Sequence, residues 1–400
     1  MADTTEKAPS PKATTEAATA LAPATTLAAS GASPAEATTS AAAATSPAKS
    51  ASPGAEGAEE QVGEAFGTDQ TIQAAEGLDI EDDGSSDIGS SLQSSTGSLT
   101  ESIFNYRVLH GRTYNAPKTS EYWAPNDEVQ NEGLDLLHNC LLMVLGDKLF
   151  LAPIGDNPQR VLDVGTGTGI WAIDFADTYP GSEVIGTDLS PIQPAWTPPN
   201  VKFEIDDCIL DWTWPENHFD FVHIRALYGS IPDWVDLYKK AYKHLQPGGW
   251  LENLETDITV QSDHVVFGDD HIYNEWLRVF LDAADKRGRT FAISHGHMMK
   301  DAMIEAGFVD VTEVKLKTPC HGWPRDPKLQ QAGLLFFAML DQSIEGLGLY
   351  MLTNTLGWSV EEALVFTARF RSETRKKSNC GWILTTVVYG RKPFPGEKQD

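Results

Sequence analysis

A chain of 400 residues with a net charge of −27 leaves room for two or three domains at roughly 100–200 residues each, and its composition argues for fewer. So acidic a chain repels phosphate backbones, which argues against direct nucleic-acid binding. Its four cysteines, Cys140, Cys208, Cys320 and Cys380, are widely spaced with no Cys-x-x-Cys, which argues against a zinc site or a disulfide framework and for a reducing intracellular compartment.

Residues 1–102 are mostly Ala, Thr, Ser, Pro, Gly and acid. Such a composition cannot bury enough apolar surface to offset chain entropy, so a disordered low-complexity acidic tail is expected. A docking or phosphorylation role for the Ser-rich stretch Ser85 to Ser98 is the functional alternative. The opening "MADTTEKAPS" lacks the apolar core of a secretory signal and the Arg-rich pattern of a transit peptide. The longest apolar run, Leu334 to Leu340, is far too short to span a bilayer. A soluble intracellular protein with no membrane partner is expected.

A folded domain is expected over 103–395, where aromatic residues appear at once with Phe104, Tyr106, Tyr114, Tyr122 and Trp123. A helical apolar stripe follows from Leu134 to Leu145, with Asn126 read as its N-cap. Strand and helix signals then alternate, as a parallel sheet with helices on both faces requires. Strands are expected at Val161–Val164, Glu183–Thr187, Val201–Ile205, Phe219–Ile224, Trp250–Leu254, Phe308–Leu316 and Ile383–Tyr389. A helical insertion at about 319–380 precedes the last strand, with helices near Leu329–Leu340 and Val360–Arg375. The second opens with Ser359-Val360-Glu361-Glu362, the pattern of a capping box.

The stretch "RVLDVGTGTGIW" from Arg160 to Trp171 joins an apolar strand to a helix through Gly165, Gly167 and Gly169. No Lys follows Gly169, so a Walker phosphate loop is disfavoured. A dinucleotide loop wants Gly-x-Gly-x-x-Gly, and here the third glycine falls one residue early. Asp163 lies two residues before the first glycine, where a carboxylate would repel a pyrophosphate and suit an ammonium group. Asp188, at the end of the second strand, sits where an acid accepts from both ribose hydroxyls in nucleoside-binding folds.

Asp-x-Gly-x-Gly-x-Gly resembles the first motif of class I S-adenosylmethionine-dependent methyltransferases. "EIDDCILDW" after the third strand and "LQPGGWLE" before the fifth match the same family pattern. The resemblance implies a Rossmann-like, mainly parallel seven-stranded sheet and S-adenosyl-L-methionine as cofactor. "GRTY" at Gly111–Tyr114, "PNDEVQNEGLDLLH" at Pro125–His138, "FDFVHIRALYGSIPDW" at Phe219–Trp234 and "PGGWLENLE" at Pro247–Glu255 are similar to the fungal LaeA-like methyltransferases. That group includes nuclear regulators of secondary metabolism that join velvet-type proteins, and natural-product tailoring enzymes. The resemblance therefore implies a small-molecule or protein methyl acceptor, velvet-type partners for the regulators, and a nuclear location with a cytoplasmic alternative. A cofactor-binding scaffold acting through protein association is a further alternative.

Carried onto this chain, the cofactor site comprises Asp163, Gly165, Thr166, Gly167, Asp188, Asp207 and Cys208. By the family pattern Asp207 would accept from the adenine amino group, and Cys208 would place its backbone near the ring. Arg112, Tyr114 and Tyr122 are expected to fold over the cofactor as an aromatic lid, a ring facing the sulfonium through cation–π attraction. Catalytic candidates lie at the carboxyl ends of the fourth and fifth strands, where open α/β sheets bind ligands. Glu255 is the leading candidate for a pocket carboxylate, with Arg225 to orient an anionic group. His223 reads as a structural histidine, and Tyr228 and Glu252 are secondary candidates. His295, His297 and His321 are too scattered to argue a metal site. The basic run Arg369 to Lys377 reads as a solvated helix face, with a nuclear-import signal as the alternative.

Overall fold

The computed structural model describes residues 67–76, 105–115 and 120–397. Its first element is a hairpin, β1 (Arg107–Leu109) and β2 (Arg112–Tyr114), turned at His110-Gly111 with both residues at positive φ. Helix α1 (Glu128–Val144) follows. The expected N-cap was Asn126; the cap is instead Asp127, whose carboxylate accepts from Gln130 N and from the Arg112 guanidinium. A carboxylate at the positive end of a helix, held by a cation from the hairpin, ties the two elements together.

Alternating strands and helices then build the sheet: β3 (Arg160–Val164), α2 (Ile170–Thr178), β4 (Glu183–Asp188), β5 (Val201–Ile205), β6 (Phe219–Arg225), α3 (Trp234–His244) and β7 (Leu245–Thr256). A short β8 (Gln261–Ser262), α4 (Ile272–Arg287), α5 (Met298–Glu305) and β9 (Val309–Pro319) precede the insertion. The insertion carries α6 (Pro327–Tyr350), a π-turn at Met351–Thr355 and α7 (Val360–Thr374), and the chain returns through β10 (Gly381–Arg391).

The sheet order is β5-β4-β3-β6-β7-β10-β8, with β9 also on β10. β3 to β7 pair parallel, whereas β10 runs antiparallel to β7, β8 and β9. The seven expected strands are therefore present, and β8 makes an eighth. Alternation sends Val161 and Phe221 into one core layer and Leu162 and Val222 into the other. α2, α4, α6 and α7 cover the first layer, and α3 and α5 the second.

α6 is twice as long as the sequence suggested, and the helix through Thr355 is long and apolar enough by composition to cross a bilayer. Half of it is buried within the domain. Its close approach to α1, where a Cβ on Gly133 would strike the Ser343 hydroxyl, accounts for the apolar character. The Ser359–Glu362 capping box forms as expected. The basic run is the outer face of α7 and its C-terminal end. Arg369 pairs with Glu275, Arg371 with Glu345 and Arg375 with Asp341.

The tail differs from expectation at one place. Residues 67–76 lie against the domain, with bridges Gly67 to Leu316 and Ala74 to Pro324. Ile72 is buried in a socket with Trp323, Leu329, Cys380 and Trp382. Composition averaged over a hundred residues hides one apolar residue with a socket made for it. The rest of the tail, including Ser85 to Ser98, lies outside the described residues.

Candidate active site

The turn between β3 and α2 is made by three left-handed glycines, with φ of +69° at Gly165, +59° at Gly167 and +82° at Gly169. Gly169 caps α2, and the Phe203 ring of β5 fills the space a side chain would need. The loop is fixed from the second strand: Thr166 N donates to Thr187 O at 2.8 Å and Gly167 N to Asp188 Oδ2 at 2.9 Å. Asp188 Oδ1 accepts from Ser190 N at 2.9 Å. Burial pushes the Asp188 carboxyl up to about 6, against the pull of these backbone donors.

A pocket opens above this loop. Gly165, Thr166, Gly167, Asp188, Asp207, Cys208 and Arg225 all line it. Four buried polar atoms on its wall have no partner within the protein: Ser120 Oγ, Asn126 Oδ1, Asp207 Oδ2 and Ser230 Oγ. Buried polar groups are normally hydrogen-bonded, so this cluster marks where a polar ligand sits. The Cys208 thiol is pushed up to about 12 by burial and by the nearby Asp207 carboxylate, so it is no nucleophile at neutral pH.

Several expected site residues face elsewhere. Asp163 does not line the pocket. One oxygen accepts from the Thr166 hydroxyl at 2.5 Å and the other is 2.7 Å from His223 Nδ1. Burial holds the His223 pKa below its ordinary value, so the neutral ring donates Nδ1–H to that carboxylate while lying flat on Trp171 at 3.7 Å. Asp163 thus braces the loop from behind, and His223 is structural.

Tyr114 is fully buried against Tyr350, ring centroids 5.3 Å apart, away from the pocket. Arg112 is committed to Asp127. Of the expected lid only Tyr122 lines the pocket.

Glu255 is likewise absent from the pocket wall. Its two oxygens accept from Leu227 N and Tyr228 N, each at 3.0 Å, and burial pushes its pKa up to about 8. It clamps the backbone after β6 instead of facing a substrate. Glu252 does the same for Leu151 N and Ala152 N, and burial pushes it up to about 7. Arg225 does reach the pocket, but as the head of a relay: NH1 donates to His138 Nδ1 at 3.1 Å, and His138 Nε2 lies 2.9 Å from Asp174 Oδ2. A guanidinium cannot accept a proton, so Arg225 is an electrostatic element.

Sequence reasoning missed Ser120, Ser230 and Arg289, which line the pocket from loops, and misread Asn126. Asn126 is a pocket residue whose Nδ2 donates to Ser190 Oγ at 3.2 Å. No spacing rule signals residues brought from so far along the chain.

A Rossmann-like sheet of this order, a glycine loop under a pocket, an acid at the end of β4 and, after β5, a carboxylate with one unpartnered oxygen define a class I S-adenosylmethionine-dependent methyltransferase. Residues 143–313 match the methyltransferase-domain family. The chain is 36% identical to the methyltransferase pytC of Aspergillus terreus, over 75% of this chain and 92% of that protein. It is 32% identical to the secondary metabolism regulator laeA of Aspergillus niger, over 71% of this chain and 76% of that one. It is 30% identical to the protein-methionine methyltransferase laeA of Emericella nidulans, over 71% and 76%. The chain belongs to the LaeA-like methyltransferases, and S-adenosylmethionine is its cofactor.

Proposed function

We propose that this enzyme methylates an acceptor in fungal secondary metabolism. The observation that carries the cofactor assignment is the set of four unpartnered buried polar atoms around the glycine loop. Bound S-adenosylmethionine supplies a methyl group made electrophilic by its sulfonium. In our assignment Asp207 Oδ2 accepts from the adenine amino group. Asp188 keeps lone pairs for the ribose hydroxyls, and Arg225 offers its charge to the amino-acid carboxylate. Asn126 Oδ1, Ser120 Oγ and Ser230 Oγ serve the remaining polar atoms.

The chain's own contribution to the reaction is alignment and exclusion of water. Glu255 is a positioning residue in this scheme, because its clamp on Leu227 and Tyr228 sets the loop that borders the pocket. Calorimetry with S-adenosylmethionine tests the assignment: no binding by the wild-type chain would overturn it. Transfer of labelled methyl to fungal extract then separates an enzyme from a cofactor-binding scaffold, since binding without labelled product supports the scaffold.

Following the resemblance to the LaeA-like regulators, we propose an intracellular, nuclear role in association with velvet-type proteins, with a cytoplasmic tailoring role as the alternative. A fluorescent fusion and affinity purification from the nucleus test it; exclusive cytoplasmic signal and no regulatory partner would remove the nuclear reading.

A further inference from the structure

A second cavity adjoins the cofactor pocket. Tyr122, Leu134, Leu137 and Ala226 line both, so the two spaces share a boundary. Its walls come from α1, from the loop after β6, from α4 and from the insertion helices α6 and α7. Aromatic rings dominate it. Trp123 and Phe291 meet edge-on at 5.0 Å, Phe280 and Phe291 at 5.3 Å, and Trp276 stacks on Phe280 at 4.4 Å. The Trp123 ring is locked by its Nε1–H donating to Tyr228 O at 3.2 Å.

Besides the hydroxyls of Tyr122, Tyr228 and Thr256, a carboxylate and a carboxamide interrupt this apolar wall in different ways. Asp257 is engaged at one oxygen: its Oδ1 accepts from Thr259 N at 2.8 Å and lies 2.9 Å from His295 Nε2. That bond raises the His295 pKa above its ordinary value. Gln130 is not satisfied. It is only 4% exposed, it lines the cavity, and its Oε1 has no partner within the protein. No lysine, arginine or histidine is among the lining residues.

We infer that this chamber is the acceptor site and takes a neutral, planar aromatic molecule bearing a hydroxyl that donates to Gln130 Oε1. This rests on the cofactor assignment proposed above. An anionic acceptor finds no counter-charge in the wall, and a cationic one finds a carboxylate already engaged by His295 and Thr259 N. Flat rings match walls made of edge-on and stacked rings. A buried acceptor with no partner selects for a ligand that brings a donor, because the analogue without it leaves the group unpaired.

The test uses the full chain saturated with S-adenosylhomocysteine and three probes: 2-naphthol, naphthalene and 2-naphthoate, with binding read by calorimetry. The expected result is saturable binding of 2-naphthol, about tenfold tighter than naphthalene, and none of 2-naphthoate. Gln130→Leu should bring 2-naphthol down to the affinity of naphthalene. Leu340→Trp, which fills the chamber from α6, should abolish binding of both. Both variants should keep wild-type affinity for S-adenosylhomocysteine, which also reports that they fold. Equal affinity for 2-naphthol and naphthalene in the wild type would overturn the inference. So would 2-naphthoate binding as tightly as 2-naphthol, or binding untouched by Leu340→Trp. If S-adenosylhomocysteine binds and no neutral ring does, this inference alone falls; if S-adenosylhomocysteine does not bind, the functional reading falls with it.

Discussion

Asp207 leaves one buried carboxylate oxygen without a protein partner, and that makes its contribution separable. Asp207→Ala removes no hydrogen bond from the folded apoprotein except the one to Ile209 N. It should weaken S-adenosylhomocysteine by about 1–3 kcal/mol, roughly five- to a hundredfold, by calorimetry, with little change in thermal stability. Glu255 behaves oppositely, because its partners are all internal. Its carboxyl titrates at 4.5 in the reference state and about 8 in the fold. Between those values the folded chain holds the proton more tightly, so this group's contribution to stability is full below pH 4.5 and is lost as pH rises toward 8. Thermal melts of wild type and Glu255→Gln from pH 5 to 8 should therefore show a steeper decline for wild type. The spacing of Asp188 and Asp207 from the glycine loop made both legible in the sequence. Glu255 and Tyr114 were not, since nothing local says whether a side chain near a strand end turns into the pocket or into the core.

Elements announced themselves through period and caps. The Ser359 capping box was readable because both of its partners lie within one turn. Ser359→Ala should lower stability by about 1 kcal/mol in denaturant titration, with cofactor affinity unchanged. The docked segment at 67–76 was not readable, because its partners are hundreds of residues away: Ala75 N donates to Trp323 O at 2.8 Å and Arg325 N to Gln73 O at 2.7 Å. Lys317 Nζ and His264 Nε2 hold the backbone oxygens of Gln70 and Ile72. Ile72→Asp places a charge in the socket of Trp323 and Trp382, and should release the segment. Hydrogen exchange at Ala75 and Arg325 should then accelerate, whereas the β3–β6 core amides stay protected. α6 outran its expected length for a related reason. Gly346 and Gly348 weaken the helical pattern, but each lies against a neighbour, Arg112 and Thr367 respectively, that leaves no room for a side chain.

At the scale of the molecule, ligand binding should couple to the stability of the fold. The pocket draws on the segment before α1, the glycine loop, the turns after β4 and β5 and the loop after β6. S-adenosylhomocysteine at a hundred times its dissociation constant should add about 2.7 kcal/mol, seen as a rise in melting temperature by scanning calorimetry. Asp207→Ala should shrink that rise in proportion to its lost affinity. The sequence by itself determined the alternation of strands and helices, the glycine turn, and the acids at the ends of β4 and β5. These are set by period, backbone conformation and short spacing, which are local. Only the tertiary structure decided which carboxylates are internal clamps, which tail residues dock, and how an insertion of two helices closes an aromatic chamber beside the cofactor. Those outcomes depend on contacts between residues far apart in the chain, where burial reverses what a side chain's chemistry alone suggests.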